Sequence, residues 1–227
     1  MNDMNIYVIN LKRRPDRLHS FYERINFPKE KINVVTAFDG KNYNNESEEE
    51  KQLYNRLSPR LLPGEKGCFI SHMMAYKDIV KNNYEFSIIF EDDCYFSEEF
   101  SNKINMIINE MPKDTQILYI GGRGSPNFKM DPNTCTKITE NIVSHKLSNW
   151  DMRDNNNHDR GTYSYIISKD LASKFINYCE NGYNFDSYIP QIDHWMIKTC
   201  VDNNIPIYNS HPLVCFSDHS SKDSDIR

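Results

Sequence analysis

The sequence predicts an α/β domain built on a parallel sheet, and three observations carry that reading. MNIYVINL, residues 4 to 11, is β-branched and aromatic, LKRRPDRLHSFYERI turns to helical spacing, and INVVTA, residues 32 to 37, is strand-like again. Strand, helix, strand is how a parallel α/β sheet begins. FSIIF, residues 86 to 90, reads as a strand covered on both faces, and 227 residues suffice for one large core, so a single domain over 1–227 is expected.

Taken in order, the first helix sets Leu18, Phe21, Tyr22 and Ile25 on one face, and Phe38-Asp39-Gly40 turns the chain after the second strand. Residues 41 to 60 are polar and charge-dense, which predicts a solvated loop with a short helix. Leu61 to Glu65 reads as a turn. Lys66 to Lys81 reads as a helix with Cys68, Phe69, His72, Ala75, Tyr76 and Ile79 near one face. After the strand at 86–90 come a helix from about Glu98 to Glu110 and a strand from Gln116 to Gly121. Residues 122 to 160, rich in Asn, Asp, Pro and Gly, are expected to form strands and loops over the site. Gly161 to Ser168 alternates as a strand, Lys169 to Asn181 and Pro190 to Asn203 are helical, and Ile205 to Tyr208 and Pro212 to Phe216 are the final strands.

Composition narrows the function classes. A net charge of -5 with 26% charged residues gives no basic surface for non-specific nucleic-acid binding. No run approaches the roughly 18 apolar residues of a membrane span, and no export signal is visible at the N-terminus, so a soluble, cytoplasmic protein is expected. The six cysteines have no zinc-like spacing and are expected to be mostly buried thiols.

The chemistry concentrates where strands end. Three acids, Glu91, Asp92 and Asp93, follow the strand at 86–90, and burying them without partners would be very costly. Glu91 and Asp93 would share one side of an extended segment, which suits a hard divalent ion; the alternative is a solvated helix cap. Asn10, Arg13, Arg14, Asp16 and Arg17 lie past the first strand, where open sheets bind nucleotides; these arginines either hold a diphosphate or pair with neighbouring acids. GEKGCFISH carries Ser71 and His72 into the next helix. Asp193-His194 at a helix start is a general base or an N-cap, and His211 and His219 lie near the C-terminus.

Read together, IYVINLKRRPDR, AFDG, GEKGCFISH, IIFEDD, LYIGG, GTYSYIIS, PQIDHW and HPLV resemble glycosyltransferase family 25, in that family's order and over roughly residues 5 to 225. The resemblance implies a GT-A fold with a Rossmann-like, mostly parallel central sheet flanked by helices, a nucleotide-binding half to about residue 120 and an acceptor-binding half from about 121. It implies inverting transfer of a hexose from a UDP-sugar, UDP-galactose or UDP-glucose, with Mn²⁺ or Mg²⁺, to a glycan or to hydroxylysine of a collagen-like protein. On this reading Asp93, Glu91 and His219 hold the metal. Asn10, Leu11, Arg14, Arg17, Ala37, Asp39, Ser71, Glu91 and Asp92 bind the donor, with Glu91 or Asp92 on ribose or metal-bound water. Asp193 is the base with His194 as its alternative, and Gly161, Thr162 and Trp195 meet the acceptor. A non-catalytic sugar-nucleotide or glycan-binding module is the rival from another class, and a phosphohydrolase is the enzymatic one.

Overall fold

The computed structural model describes residues 4–25, 27–123, 135–145, 161–181, 191–217 and Asp225. The first half gives β1 (Asn5–Leu11), α1 (Pro15–Ile25), β2 (Ile32–Ala37), α2 (Glu48–Arg56), α3 (Pro63–Lys81), β3 (Phe86–Glu91), β4 (Cys94–Phe96), α4 (Phe100–Glu110) and β5 (Ile117–Tyr119). The second gives β6 (Gly121–Arg123), β7 (Cys135–Lys137), β8 (Ile142–His145), β9 (Ser164–Ser168), α5 (Lys169–Glu180), α6 (Ile192–Asp202), β10 (Ile207–Ser210) and β11 (Cys215–Ser217).

Eight strands form one sheet in the order β2-β1-β3-β9-β5-β10-β8-β7, and β4-β11-β6 form a small second sheet. The expected parallel start holds: β1 pairs in parallel with β2 and with β3, placing Val8 between Val34 and Phe90. The rest is mixed rather than mostly parallel, because β9 runs antiparallel to both β3 and β5, as β8 does to β10 and β7. This reversal matters for the site. It brings the amino-terminal end of β9 to the carboxyl end of β3, where the Glu91 amide donates to Tyr163 O at 2.9 Å.

Strand alternation divides the core. Ile6, Val8, Ile88, Phe90 and Ile166 pack with Phe21 and Ile25 of α1 and with Ile104 and Ile107 of α4. Tyr7, Ile9, Ile89, Tyr165 and Ile167 face Phe69, Met73 and Tyr76 of α3, Phe175 of α5 and Trp195 of α6. Both faces are covered, so the central strands are continuously apolar. Helices α3 and α6 each end in an Asn pair whose second member is left-handed, Asn83 at φ 58° and Asn204 at φ 53°. The following amides close the helices: Tyr84 N donates to Ile79 O at 3.2 Å and Ile205 N to Cys200 O at 2.8 Å.

Three local expectations change. Pro63, Gly64 and Glu65 are the first turn of α3 rather than a turn before it, with Glu65 accepting from the Leu62 amide at 2.8 Å. The strand expected over 116–121 splits after Tyr119 as the chain passes to the small sheet, and Ile120 O accepts from Val214 N at 3.0 Å. A Cβ on Gly121 would lie 2.1 Å from Ser164 Oγ, so the lack of a side chain there lets the chain pass close to β9. Strands β7 and β8, expected over the site, instead extend the far edge of the large sheet.

Candidate active site

An open cleft lies at the carboxyl ends of β1, β2 and β3, where open α/β sheets bind their ligands. The chain's local chemistry builds it from three pieces: the arginine segment after β1, the Ala37–Gly40 turn docked on α3, and the acids after β3.

Glycine makes the docking of the turn possible. A Cβ on Gly40 would meet Pro63 O at 1.8 Å, and one on Gly67 would meet Phe38 O at 2.7 Å. The Ser71 hydroxyl locks the contact, accepting from the Phe38 amide at 3.0 Å and donating to Gly67 O at 2.6 Å. Ser71, expected on the donor, lines the cleft while its hydrogen bonds hold the turn. Leu11, Ala37, Asp39 and Arg17 also line the cleft.

The acids do not sit in a continuing strand. Glu91 ends β3, and Asp92 and Asp93 form a tight turn into β4. All three carboxylates therefore line the same cleft, where an extended segment would have sent Asp92 the other way. Arg24 of α1 grips the turn from behind, donating to Asp92 O at 2.8 Å and Cys94 O at 2.9 Å over the Tyr95 ring.

Each acid has a different environment. Asp92 is buried, accepts from Asn10 Nδ2 at 2.6 Å and pairs closely with Arg17. Asp93 receives Arg17 at 3.1 Å on Oδ2, while its buried Oδ1 has no partner. Burial, with Glu91 close by, pushes Asp92 up to about 6 and Asp93 up to about 7. Glu91 goes the other way. Burial raises it, but hydrogen bonds from His72 and Thr162 outweigh burial and hold it below the ordinary carboxylate value. Thr162 Oγ1 donates to Glu91 Oε1 at 2.5 Å and His72 Nε2 lies 3.4 Å from the same oxygen.

These shifts have a stability consequence with a definite sign. Two carboxyls raised in the folded chain bind protons more tightly than in the unfolded one, so their contribution is complete below about pH 4 and is lost as pH rises through about 7. Thermal denaturation should show wild type losing ground to Asp93→Asn across that window. A constant difference between the two proteins would refute this.

Three arginines converge on one carboxylate that the sequence did not mark out. Asp225 accepts from Arg13 at 2.7 Å, Arg14 at 2.8 Å and Arg17 at 3.3 Å. Burial pushes Asp225 up, but Arg13 and Arg14 more than offset it and hold it below its ordinary value. Arg13 also binds Asp39 at 2.7 Å and lines the cleft. Arg14, expected on the donor, is not in the cleft wall and pairs with Asp16 at 2.8 Å besides Asp225. Asn10 likewise stands behind the wall, bridging Asp92 and Arg14 O at 3.0 Å.

On the other side, Asp193 and His194 begin α6, where Asp193 Oδ1 accepts the His194 amide at 2.8 Å. Gln191 Nε2 ties this end to Glu65 of α3 at 2.9 Å. Burial, with Glu91 and Asp193 near, pushes the Cys68 thiol well up, but neither Asp193 nor His194 lines the cleft itself. Thr162 reaches Glu91, and Gly161 precedes it in the same segment. Trp195 corrects an expectation: it is buried, 5.2 Å from the Phe69 ring and 5.1 Å from the Phe175 ring, and so belongs to the core rather than to an acceptor surface. His219 lies outside the described residues; β11 before it ends at Ser217, opposite Cys94. His211 is held by β8's neighbour Asn141, N to O at 2.9 Å, and does not line the cleft. Among the described residues no helix is long and apolar enough to cross a membrane.

Comparison with known proteins agrees with this geometry. The family described as glycosyltransferase family 25 (LPS biosynthesis protein) matches residues 3–194. Human procollagen galactosyltransferase 2 is 27% identical over 228 residues, covering 94% of this chain and 32% of that protein, so the chain spans about a third of that relative's length. Lipooligosaccharide biosynthesis protein lex-1 of Haemophilus influenzae is 29% identical over 184 residues, covering 76% of this chain and 55% of that one. A solved glycosyltransferase involved in glycosylation of the major capsid of PBCV-1 superposes with a TM-score of 0.52 at 10% identity, covering 96% of this chain and 93% of that chain. With most of its length matched, its sheet order resolved and its acids and arginines sharing one cleft, the chain belongs to glycosyltransferase family 25 and has the GT-A fold.

Proposed function

We propose that this chain transfers a hexose from a UDP-sugar, galactose or glucose, to an acceptor hydroxyl with inversion, using Mn²⁺ or Mg²⁺. The observation that carries the reading is the shared cleft, with Asp93 Oδ1 buried and unpartnered, Arg17 paired with Asp92 and Asp93, and Glu91 and Arg13 in the same lining. A hard divalent ion fits that donor set, because it takes carboxylate oxygens and keeps positions for phosphate and water. Asp93 and Glu91 would hold it, and when bound it neutralises charge on the departing diphosphate.

The chain's own groups do the rest. Arg13 and Arg17 orient the diphosphate, the Ala37–Gly40 turn shapes the nucleoside end, and Thr162 holds Glu91 in place. Asp193 takes the proton from the acceptor hydroxyl. The acceptor is a glycan or hydroxylysine of a collagen-like protein; the names of the two relatives, one of procollagen and one of lipooligosaccharide, support a collagen or a glycan acceptor.

The test is release of UDP from a panel of UDP-sugars with Mn²⁺, with and without candidate acceptors. Acceptor-dependent release from one sugar supports the proposal, whereas none from any sugar favours a binding module. Asp193→Asn should lower kcat roughly 10²-fold with donor affinity and Tm nearly unchanged, since only proton acceptance is lost. If instead its whole effect is a lower Tm, Asp193 is a helix cap.

A further inference from the structure

At the cleft wall, three ligand atoms of unlike chemistry meet. Cys68 Sγ lies 4.0 Å and His72 Nε2 3.4 Å from Glu91 Oε1, and the three atoms lie within 4.8 Å of one another. Two helical residues four apart, on one face of α3, point at the end of β3.

A hydrogen-bond chain supports His72 from behind. Tyr165 OH stands 2.7 Å from His72 Nδ1 and 2.7 Å from Tyr76 OH, which in turn reaches Met196 Sδ at 3.2 Å. Run in one sense, with Nδ1–H donating to Tyr165 and Tyr165 to Tyr76, the chain presents the Nε2 lone pair towards Glu91 Oε1, 3.4 Å away; run in the other, Nε2 carries a proton towards that oxygen. The gap between imidazole and carboxylate is filled either by that proton or by a metal ion.

The thiol decides between the two. A proton needs no third ligand, whereas thiolate, imidazole and carboxylate together are the donor set of a borderline-soft divalent ion. Bonds of about 2.0 Å to nitrogen and oxygen and about 2.3 Å to sulfur, at tetrahedral angles, put N···O near 3.3 Å and S···O near 3.5 Å. The imidazole and carboxylate already stand at that spacing, and the thiol needs to close by about half an ångström on the carboxylate oxygen and to approach the imidazole from within 4.8 Å. The supporting contacts are those of a ligand shell: Tyr165 on the far ring nitrogen and Thr162 on the carboxylate, at 2.5 Å. Cys68 and Glu91 line the cleft, which leaves the fourth position open to it.

We propose that Cys68, His72 and Glu91 form a binding site for a thiophilic divalent cation of the Zn²⁺ or Co²⁺ class. It is distinct from the hard-ion site proposed at Asp93, although Glu91 is common to both.

Co²⁺ is the probe. Titrated into the metal-free chain without oxygen, about one equivalent is expected to give the near-ultraviolet thiolate charge-transfer band and strong visible bands of a four-coordinate site. Stoichiometric Zn²⁺ should bleach them, and a tenfold excess of Mn²⁺ should not. Cys68→Ser, nearly isosteric and at the cleft wall, should abolish the charge-transfer band while keeping the wild-type Tm. His72→Gln should weaken Co²⁺ binding at least tenfold. Absence of the band in wild type, or its survival in Cys68→Ser, overturns the proposal and leaves His72 and Glu91 joined by a proton. The readout is spectroscopic and holds whatever the outcome of the UDP-sugar assays.

Discussion

Asp93→Asn is expected to lower metal-dependent UDP release by about 10³-fold or more, with Tm unchanged or raised at pH 7. The two halves of that expectation have one cause. Asp93 Oδ1 is buried without a partner, so an amide there breaks no contact at that atom, and burial outweighs the Arg17 contact on Oδ2 in setting the cost of the charge. A divalent ion, by contrast, needs the anionic oxygen, and removing several kcal/mol of charge stabilisation from the transition state is worth roughly three orders of magnitude. Initial rates at saturating Mn²⁺ and calorimetric Mn²⁺ binding would check both halves. Turnover within tenfold of wild type would remove Asp93 from the metal's ligands.

Arg17→Ala is expected to have the largest effect on stability. Arg17 pairs with Asp92, Asp93 and Asp225, and it is nearly as buried as its closest partner, Asp92. Deleting one member of a buried pair strands the other, at about 3–5 kcal/mol. In a chain of this size that is a Tm lowered by about 10 °C. Asp92→Asn should cost less, because Arg17 keeps two other carboxylates. The double variant Arg17→Ala with Asp92→Asn should be more stable than the sum of the single losses, since neither leaves the other charged and alone. Urea unfolding of the four proteins measures this; strict additivity would mean that the pair is not an energetic unit.

These two acids, adjacent in sequence, illustrate how far the sequence could be read. The run EDD at the end of an apolar strand marked the place of the site, because charge at the edge of a buried segment must be neutralised by something. It did not separate Asp92, held under Asn10 and Arg17, from Asp93, whose Oδ1 is bare. That difference depends on a two-residue turn between β3 and β4, and period-two alternation assumes a strand that continues. The strand–helix–strand start, β3 and the helices on both faces were legible from periodicity. Strand direction after β3 was not, since an apolar run reads the same either way, and with it went the contact between Thr162 and Glu91. Trp195 failed for a related reason: an aromatic beside Asp193 and His194 looks like a binding platform until α6 is seen to turn it towards Phe69 and Phe175. Asp225 left no mark, because a polar C-terminal segment carries no periodicity and its three partners lie more than two hundred residues away.

The arginine–aspartate lattice around Asp225 also sets the electrical sign of the cleft. Its wall carries Arg13 and Arg17 against Asp39, Glu91, Asp92, Asp93 and Asp225, two guanidiniums facing five carboxyls. Such a basin draws cations from solution and repels a free diphosphate, and the repulsion is strongest at low ionic strength, where screening is weak. On the function proposed above, a nucleotide would therefore enter readily only once a cation had changed that sign, either already seated on the protein or carried in with the phosphates. The order of arrival is written into the charge of the wall before any bond is made.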